Sequence, residues 1–173
     1  MNLLKRIFGL KSSRSPDAAV EVARVLFEEW VQKDPAPGII SQAELSESLW
    51  LRFQSKWRLY REAIVLMVLL SREQKDSRYS ELVREYERLI YPENPTPEGL
   101  AKLSAVKAAM QDIAELIDHG KGKELTWSAK WFTEFPEELF DPVTCYLFSM
   151  SCLQTWTAVA KSLEALAADG IVP

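Results

Sequence analysis

Residues 41–73 read SQAELSESLWLRFQSKWRLYREAIVLMVLLSRE, the longest unbroken helical pattern in the chain. Ser41 and Glu44 have capping-box spacing, in which the serine hydroxyl takes the third N–H and the glutamate bonds back to the serine's own. No glycine or proline interrupts residues 45–73. A straight helix of that length runs about 50 Å, whereas a compact domain of this size has a radius of gyration of only about 16 Å. The stretch therefore predicts the spine of the fold, or a helix that kinks or projects. Along it Trp50, Phe53, Trp57, Tyr60, Ile64 and Met67 recur at steps of three and four, a heptad seam. Stripes at helical spacing normally face the core. The same large rings, Trp50, Phe53, Trp57 and Tyr60, also suit a ligand wall, a partner groove or a homodimer contact through this long second helix.

Working outward, each flank repeats the helical signature. Ser15-Pro16 opens a first helix over 17–33, with Ala19, Val22, Ala23, Leu26, Phe27 and Trp30 on one face. Asp34-Pro35-Ala36-Pro37-Gly38 stops it. Asp76 or Ser77 caps a third helix over 77–91. Thr96-Pro97 opens a fourth over 97–118, whose expected apolar face is Leu100, Leu103, Val106, Met110, Ile113 and Ile117. A short fifth helix is expected over 126–134. Asp141-Pro142 opens a sixth over 142–168, closed by Gly170. No segment shows a strand's period of two, and no fixed-spacing repeat is present. The expectation is an all-α fold: a single-domain bundle of about six helices with mixed or orthogonal packing. Residues 16–173 form that domain, preceded by a basic leader and polar joint over 1–15.

Charge is unevenly placed. The chain of 173 residues carries −4, and its first sixteen residues hold Lys5, Arg6, Lys11 and Arg14 with no acid, so the remainder stands at −8. An acidic body argues against a nucleic-acid partner, which requires a basic face to displace counterions from phosphates. In the leader, Leu3, Leu4, Ile7, Phe8 and Leu10 fill one helical arc with Lys5 and Arg6 at its flanks. Leu3, Leu4, Lys5, Arg6, Ile7 and Phe8 are the candidate contacts to an anionic membrane surface or a partner. Each basic residue adds about 1 kcal/mol at such a surface, too little for stable anchoring without a second signal.

Two apolar stretches are measured against a bilayer. Residues 63–70 (AIVLMVLL) are far short of the roughly 20 needed to cross one. Residues 142–160 carry no formal charge for nineteen positions, yet include Thr144, Ser149, Ser151, Gln154, Thr155 and Thr157. They predict a helix buried nearly all round in a protein core rather than a span. Cys145 and Cys152 lie seven apart on this helix, about 10 Å between Cα atoms, beyond disulfide reach. Free buried thiols in a reducing compartment are expected.

A second aromatic group, Trp127, Trp131, Phe132, Phe135 and Phe140, sits among Glu134, Glu137, Glu138 and Asp141. Trp127, Trp131, Phe132 and Phe135 are a candidate partner or ligand surface, against the plainer role of a small core under a loop. Catalytic patterns are missing. The one histidine, His119, stands at a helix end, where a cation suits the dipole. One histidine cannot furnish the paired Glu-x-x-His sets of a di-iron bundle or a His-Glu-x-x-His zinc site. Gly120-Lys121-Gly122-Lys123 lacks the length and hydroxyl of a phosphate loop. Glu28/Glu29 and Glu137/Glu138 are adjacent, and adjacent helical residues do not face each other. No catalytic, cofactor-binding or metal-binding residue is expected.

The composition and patterns favour a non-catalytic protein-interaction module, an adaptor, assembly factor or chaperone-like protein. It would work in the cytoplasm, with weak peripheral membrane attachment through the leader. The alternative is a carrier or sensor of an apolar small molecule held between helices. An enzyme whose catalytic groups escape sequence patterns is the least favoured class.

Overall fold

Prolines and capping side chains set the helix boundaries. The computed structural model describes residues 16–33, 45–91, 96–118, 135 and 141–172. Within them lie five helices and no strand. Helix α1 spans Pro16–Phe27 and runs on as a five-residue π turn, Glu28–Gln32. Helix α2 is Glu47–Glu73, α3 is Ser80–Ile90 behind a 3₁₀ turn at Ser77–Tyr79, α4 is Pro97–Asp118 and α5 is Pro142–Ala168. The expected helix over 126–134 and the leader over 1–15 lie outside the described residues.

Where proline takes the first helical position, the boundary is sharp, because its missing N–H is one the helix leaves unpaired anyway. Thr96 Oγ1 accepts from Gly99 N at 3.1 Å to start α4. Asp141 starts α5 by accepting from Val143 N at 2.9 Å, Thr144 N at 3.0 Å and the Thr144 hydroxyl at 2.7 Å. At the other end of α5, Gly170 adopts φ +68°. Its N–H reaches the Ala167 carbonyl at 3.0 Å and Ile171 N reaches the Leu166 carbonyl at 2.9 Å. That is a Schellman closure, which places a left-handed residue just past the helix end and so favours glycine.

Three elements differ from the sequence expectation. Helix α2 begins at Glu47, not 41: Leu45 and Ser46 are outside the helix, and the Ser46 hydroxyl accepts from Leu49 N at 3.4 Å. The Ser41–Glu44 box lies outside the described residues. Ser46 is a second competent cap, and it stands directly before the first large apolar residues, Leu49 and Trp50, whose burial can hold a turn in place. With 27 residues, α2 is about 40 Å long, and α5, over its expected 142–168, matches it in length.

Helix α4 is turned relative to expectation. Its buried stripe is Gly99, Val106, Ala109, Ile113 and Leu116, while Leu100 and Ile117 are exposed. Small residues at 99 and 109 let α4 come close to α2. The approach is sealed by the Tyr60 hydroxyl donating to Asp112 Oδ2 at 2.5 Å. Helix α5 is not buried all round. Cys145, Phe148, Ser149, Cys152, Val159, Leu163 and Leu166 face inward, but Val143, Tyr146 and Leu147 face outward. Freedom from charge permits burial and does not compel it.

Helix α2 is the spine: each of the other four helices contacts it, and α1 also packs along α3. From Tyr60 to Leu66 seven successive α2 residues are buried, so the middle of this helix is enclosed on all sides. A face of α2 open to a second copy is therefore confined to its two ends. The buried apolar side chains join in one continuous core. Its largest enclosed members are Trp57, Tyr86, Phe53 and Phe148, drawn from α2, α3 and α5. Side chains of this size contribute about 1.5–3 kcal/mol each on full burial. The spine also carries the buried charges Arg61 and Glu62. Glu62 is matched by Arg58 Nε at 3.4 Å and Lys102 Nζ at 3.2 Å. Removing one partner of a buried pair is costly even where the intact pair contributes little net stability.

Candidate functional site

The aromatic seam lies at the meeting of α2 and α5. Trp57 and Phe148 pack edge to face with centroids 5.1 Å apart, and Tyr60 meets the same ring at 6.3 Å. Trp50 is half-buried and stacks on Phe53 at 5.9 Å. Phe53, Trp57 and Tyr60 are buried. The structure thus places these three inside the core, filled against Phe148, with only Trp50 at the margin.

The second aromatic group reaches the seam through one residue. Phe135 is buried and packs edge to face on Phe53 at 6.0 Å. Arg52 and Lys56 lie over its ring at 5.9 and 6.0 Å from the centroid. Two features about eighty positions apart in the sequence therefore meet at the first half of α2. Trp127, Trp131 and Phe132, like Leu3, Leu4, Lys5, Arg6, Ile7 and Phe8, lie outside the described residues.

The outward face of α5 was not singled out by sequence reasoning. Val143 is 62% exposed, Tyr146 46% and Leu147 43%. The row continues through half-buried Met150 to Gln154, Thr157 and Lys161, again at steps of three and four. Thr157 donates its hydroxyl to the Leu153 carbonyl at 3.0 Å, which satisfies the polar end of that side chain. Met150, Leu153, Gln154, Thr157, Ala158 and Lys161 line a shallow groove of about 370 Å³. The signal that could have revealed this face was already in the sequence: polar uncharged residues interleaved at helical spacing in a charge-free run.

Contacts at both ends of α5 fix the orientation of this face. The hydrogen bonds from the Thr144 hydroxyl and from the Val143 and Thr144 N–H groups keep the Asp141 carboxyl below its ordinary range, a fixed cap at one end. Near the other end, Arg72 of α2 donates to Glu164 Oε1 at 2.6 Å and to the Ala160 carbonyl at 3.5 Å. Phe148 docks the first half of the helix on the seam.

The inner face of α5 has little reactivity to offer. Cys145 and Cys152 are buried thiols outside any disulfide. Burial pushes the Cys152 thiol far above its ordinary range, although the charge of Arg61 acts in the opposite direction. A thiol so placed stays protonated and is a poor nucleophile. Among the described residues no helix is long and apolar enough to cross a membrane.

Compared with known proteins, the chain matches no family model, no curated protein and no solved structure.

Proposed function

We propose that the chain is a protein-interaction module that docks an amphipathic helix of another protein along the outward face of α5. The observation that carries this reading is the contiguous exposure of Val143, Tyr146 and Leu147 on a helix without formal charge over 142–160. Isolated exposed apolar residues are ordinary, but a continuous row is not. Interface centres are depleted in charge and enriched in aromatic residues and methionine, and Tyr146 and Met150 supply both. The row ends at Lys161, the first formal charge along it. A matching helix would present apolar residues at steps of three and four and place an acid opposite Lys161. Adaptor and assembly roles are the classes this reading covers, with attachment to an anionic membrane through Leu3 to Phe8 as an accessory to it.

The test uses the full chain and Leu147→Asp. An exposed substitution of this kind changes stability by no more than about 0.5 kcal/mol, so the variant should fold. Native-state binding of a hydrophobic dye is expected to fall severalfold in the variant. A protein that co-purifies with the wild type should be lost from it and should restore dye exclusion when added back to the wild type. Equal dye binding by both proteins would overturn the reading. A stoichiometric small molecule released on denaturation, with no co-purifying protein, would replace it with the carrier reading.

A further inference from the structure

The π turn that ends α1 stands against the outer side of α2, and the two enclose a cleft of about 330 Å³ lined by Val31, Gln32, Leu51, Gln54, Ser55 and Arg58. Its volume falls at the small end of ligand sites. A π turn is an uncommon irregularity within a helix and is found disproportionately at functional sites. Here it ends α1 with Val31 turned into the core and Gln32 exposed at the cleft. The first half of α2 contributes the opposite wall through residues 51, 54, 55 and 58, one helical stripe.

The polar groups of this cleft have unused hydrogen-bonding capacity. The side-chain amides of Gln32 and Gln54 make no hydrogen bond to the described residues, so each offers both a donor and an acceptor. Arg58 is held in place from two sides: its Nε donates to Glu62 Oε1 at 3.4 Å and its guanidinium lies over the Phe27 ring at 5.6 Å. The two Nη groups make no further hydrogen bond among the described residues. Ser55 differs, since its hydroxyl is committed to the Leu51 carbonyl at 2.8 Å. Arg58 is the one charged side chain among the described residues that line the cleft, so charge at its wall favours an anion.

We propose that this cleft binds a small carboxylate with an amide next to it, the chemistry of an N-acyl amino acid or of a peptide's C-terminal end. The planar guanidinium presents its remaining donors as a fork that fits a carboxylate. The two primary amides pair with the ligand's own amide. Val31 and Leu51 supply apolar surface for its side chain. A polyanion fits less well, because Arg58 is the one cation among the described lining residues and is already shared with Glu62. Because Arg58 is already oriented by Glu62 and Phe27, little side-chain freedom is lost on binding.

The probe is N-acetyl-leucine, titrated into the isotope-labelled full chain and followed by the side-chain NH₂ signals of Gln32 and Gln54. N-acetyl-leucinamide, identical but uncharged, is the control. Binding of the acid should move both NH₂ pairs, and the control should bind about tenfold more weakly or worse, the ratio expected for losing a charge-assisted pair. Arg58→Gln should abolish the difference between the two probes. Because Arg58 also contacts Glu62, Ser55→Trp provides a second variant, filling the cleft from an exposed position, and should abolish binding of both. An acetylated tetrapeptide ending in leucine identifies the source: a tenfold gain over N-acetyl-leucine points to a chain end, and equal affinity to a free small molecule. Equal binding of acid and amide, no binding of either, or signals moving elsewhere while Gln32 and Gln54 stay fixed would overturn the proposal.

Discussion

Phe148 and Leu147 are neighbours on α5 with opposite surroundings, and truncating each to alanine tests how that helix is seated. Phe148 is fully buried, packed edge to face on Trp57 and Tyr60. Phe148→Ala should cost about 3–5 kcal/mol, combining lost transfer energy with the cavity left beside two rigid rings. For a chain of this length each kcal/mol lowers the melting temperature by about 2–4 °C, so the fall should be roughly 6–20 °C. Against a total stability of about 5–15 kcal/mol for a domain, the variant should still fold in the cold. Leu147 is 43% exposed, and Leu147→Ala should change stability by less than about 0.5 kcal/mol. Urea denaturation followed by circular dichroism, with thermal melts alongside, gives both numbers. If the two substitutions cost the same, or Leu147→Ala costs more, α5 is rotated from the position described. The exposed row proposed as a docking face would then fall with it.

Two more outcomes rest on single hydrogen-bonding groups. Tyr60→Phe keeps the ring in the seam but removes the bond to Asp112, and should lower unfolding free energy by about 1.5–3 kcal/mol in urea, the usual worth of a hydrogen bond to a charged group; no loss would mean that α2 and α4 are not joined there. Asp141→Ala should lower the melting temperature at neutral pH. Because the folded carboxyl titrates below its ordinary range, the wild type's advantage should be full above the unfolded aspartate value of about 4 and vanish as pH falls through the lower folded value. A gap between the two proteins that persists in strong acid would refute the capping role.

The legible parts of this fold were those written in local chemistry. Thr96-Pro97 and Asp141-Pro142 fixed the starts of α4 and α5 because a hydroxyl or carboxylate cap followed by proline satisfies the first turn without help from the rest of the chain. Gly170 marked the end of α5 for a similarly local reason. The features that escaped depended on partners distant in sequence. Whether Leu103 and Met110 or Gly99 and Ala109 face the spine turns on how near α2 comes, and an apolar count favours the larger residues. The π turn escaped because Phe27 and Val31, four apart, share a face in either kind of helix. At the candidate sites, the seam was visible as a stripe, but not its filling by Phe148. The outward row on α5 was hidden because a charge-free helix reads as a buried one. The cleft at Arg58 is assembled from 31–32 and 51–58, and no spacing rule links those segments.

The pairing of α1 with α3 has a consequence for how the protein is made. The inward side chains Val22, Ala23, Val25 and Leu26 are made well before the helix they pack on, which begins at Ser80. At about 5–20 residues per second, the ribosome needs roughly 3–10 s to travel from the end of α1 to the start of α3. For that interval the face of α1 that α3 will cover stays open, on a chain still attached to the machine producing it. The nascent protein thus presents an uncovered apolar face to chaperones, and to misassociation with its neighbours on the same message, until α3 has been made.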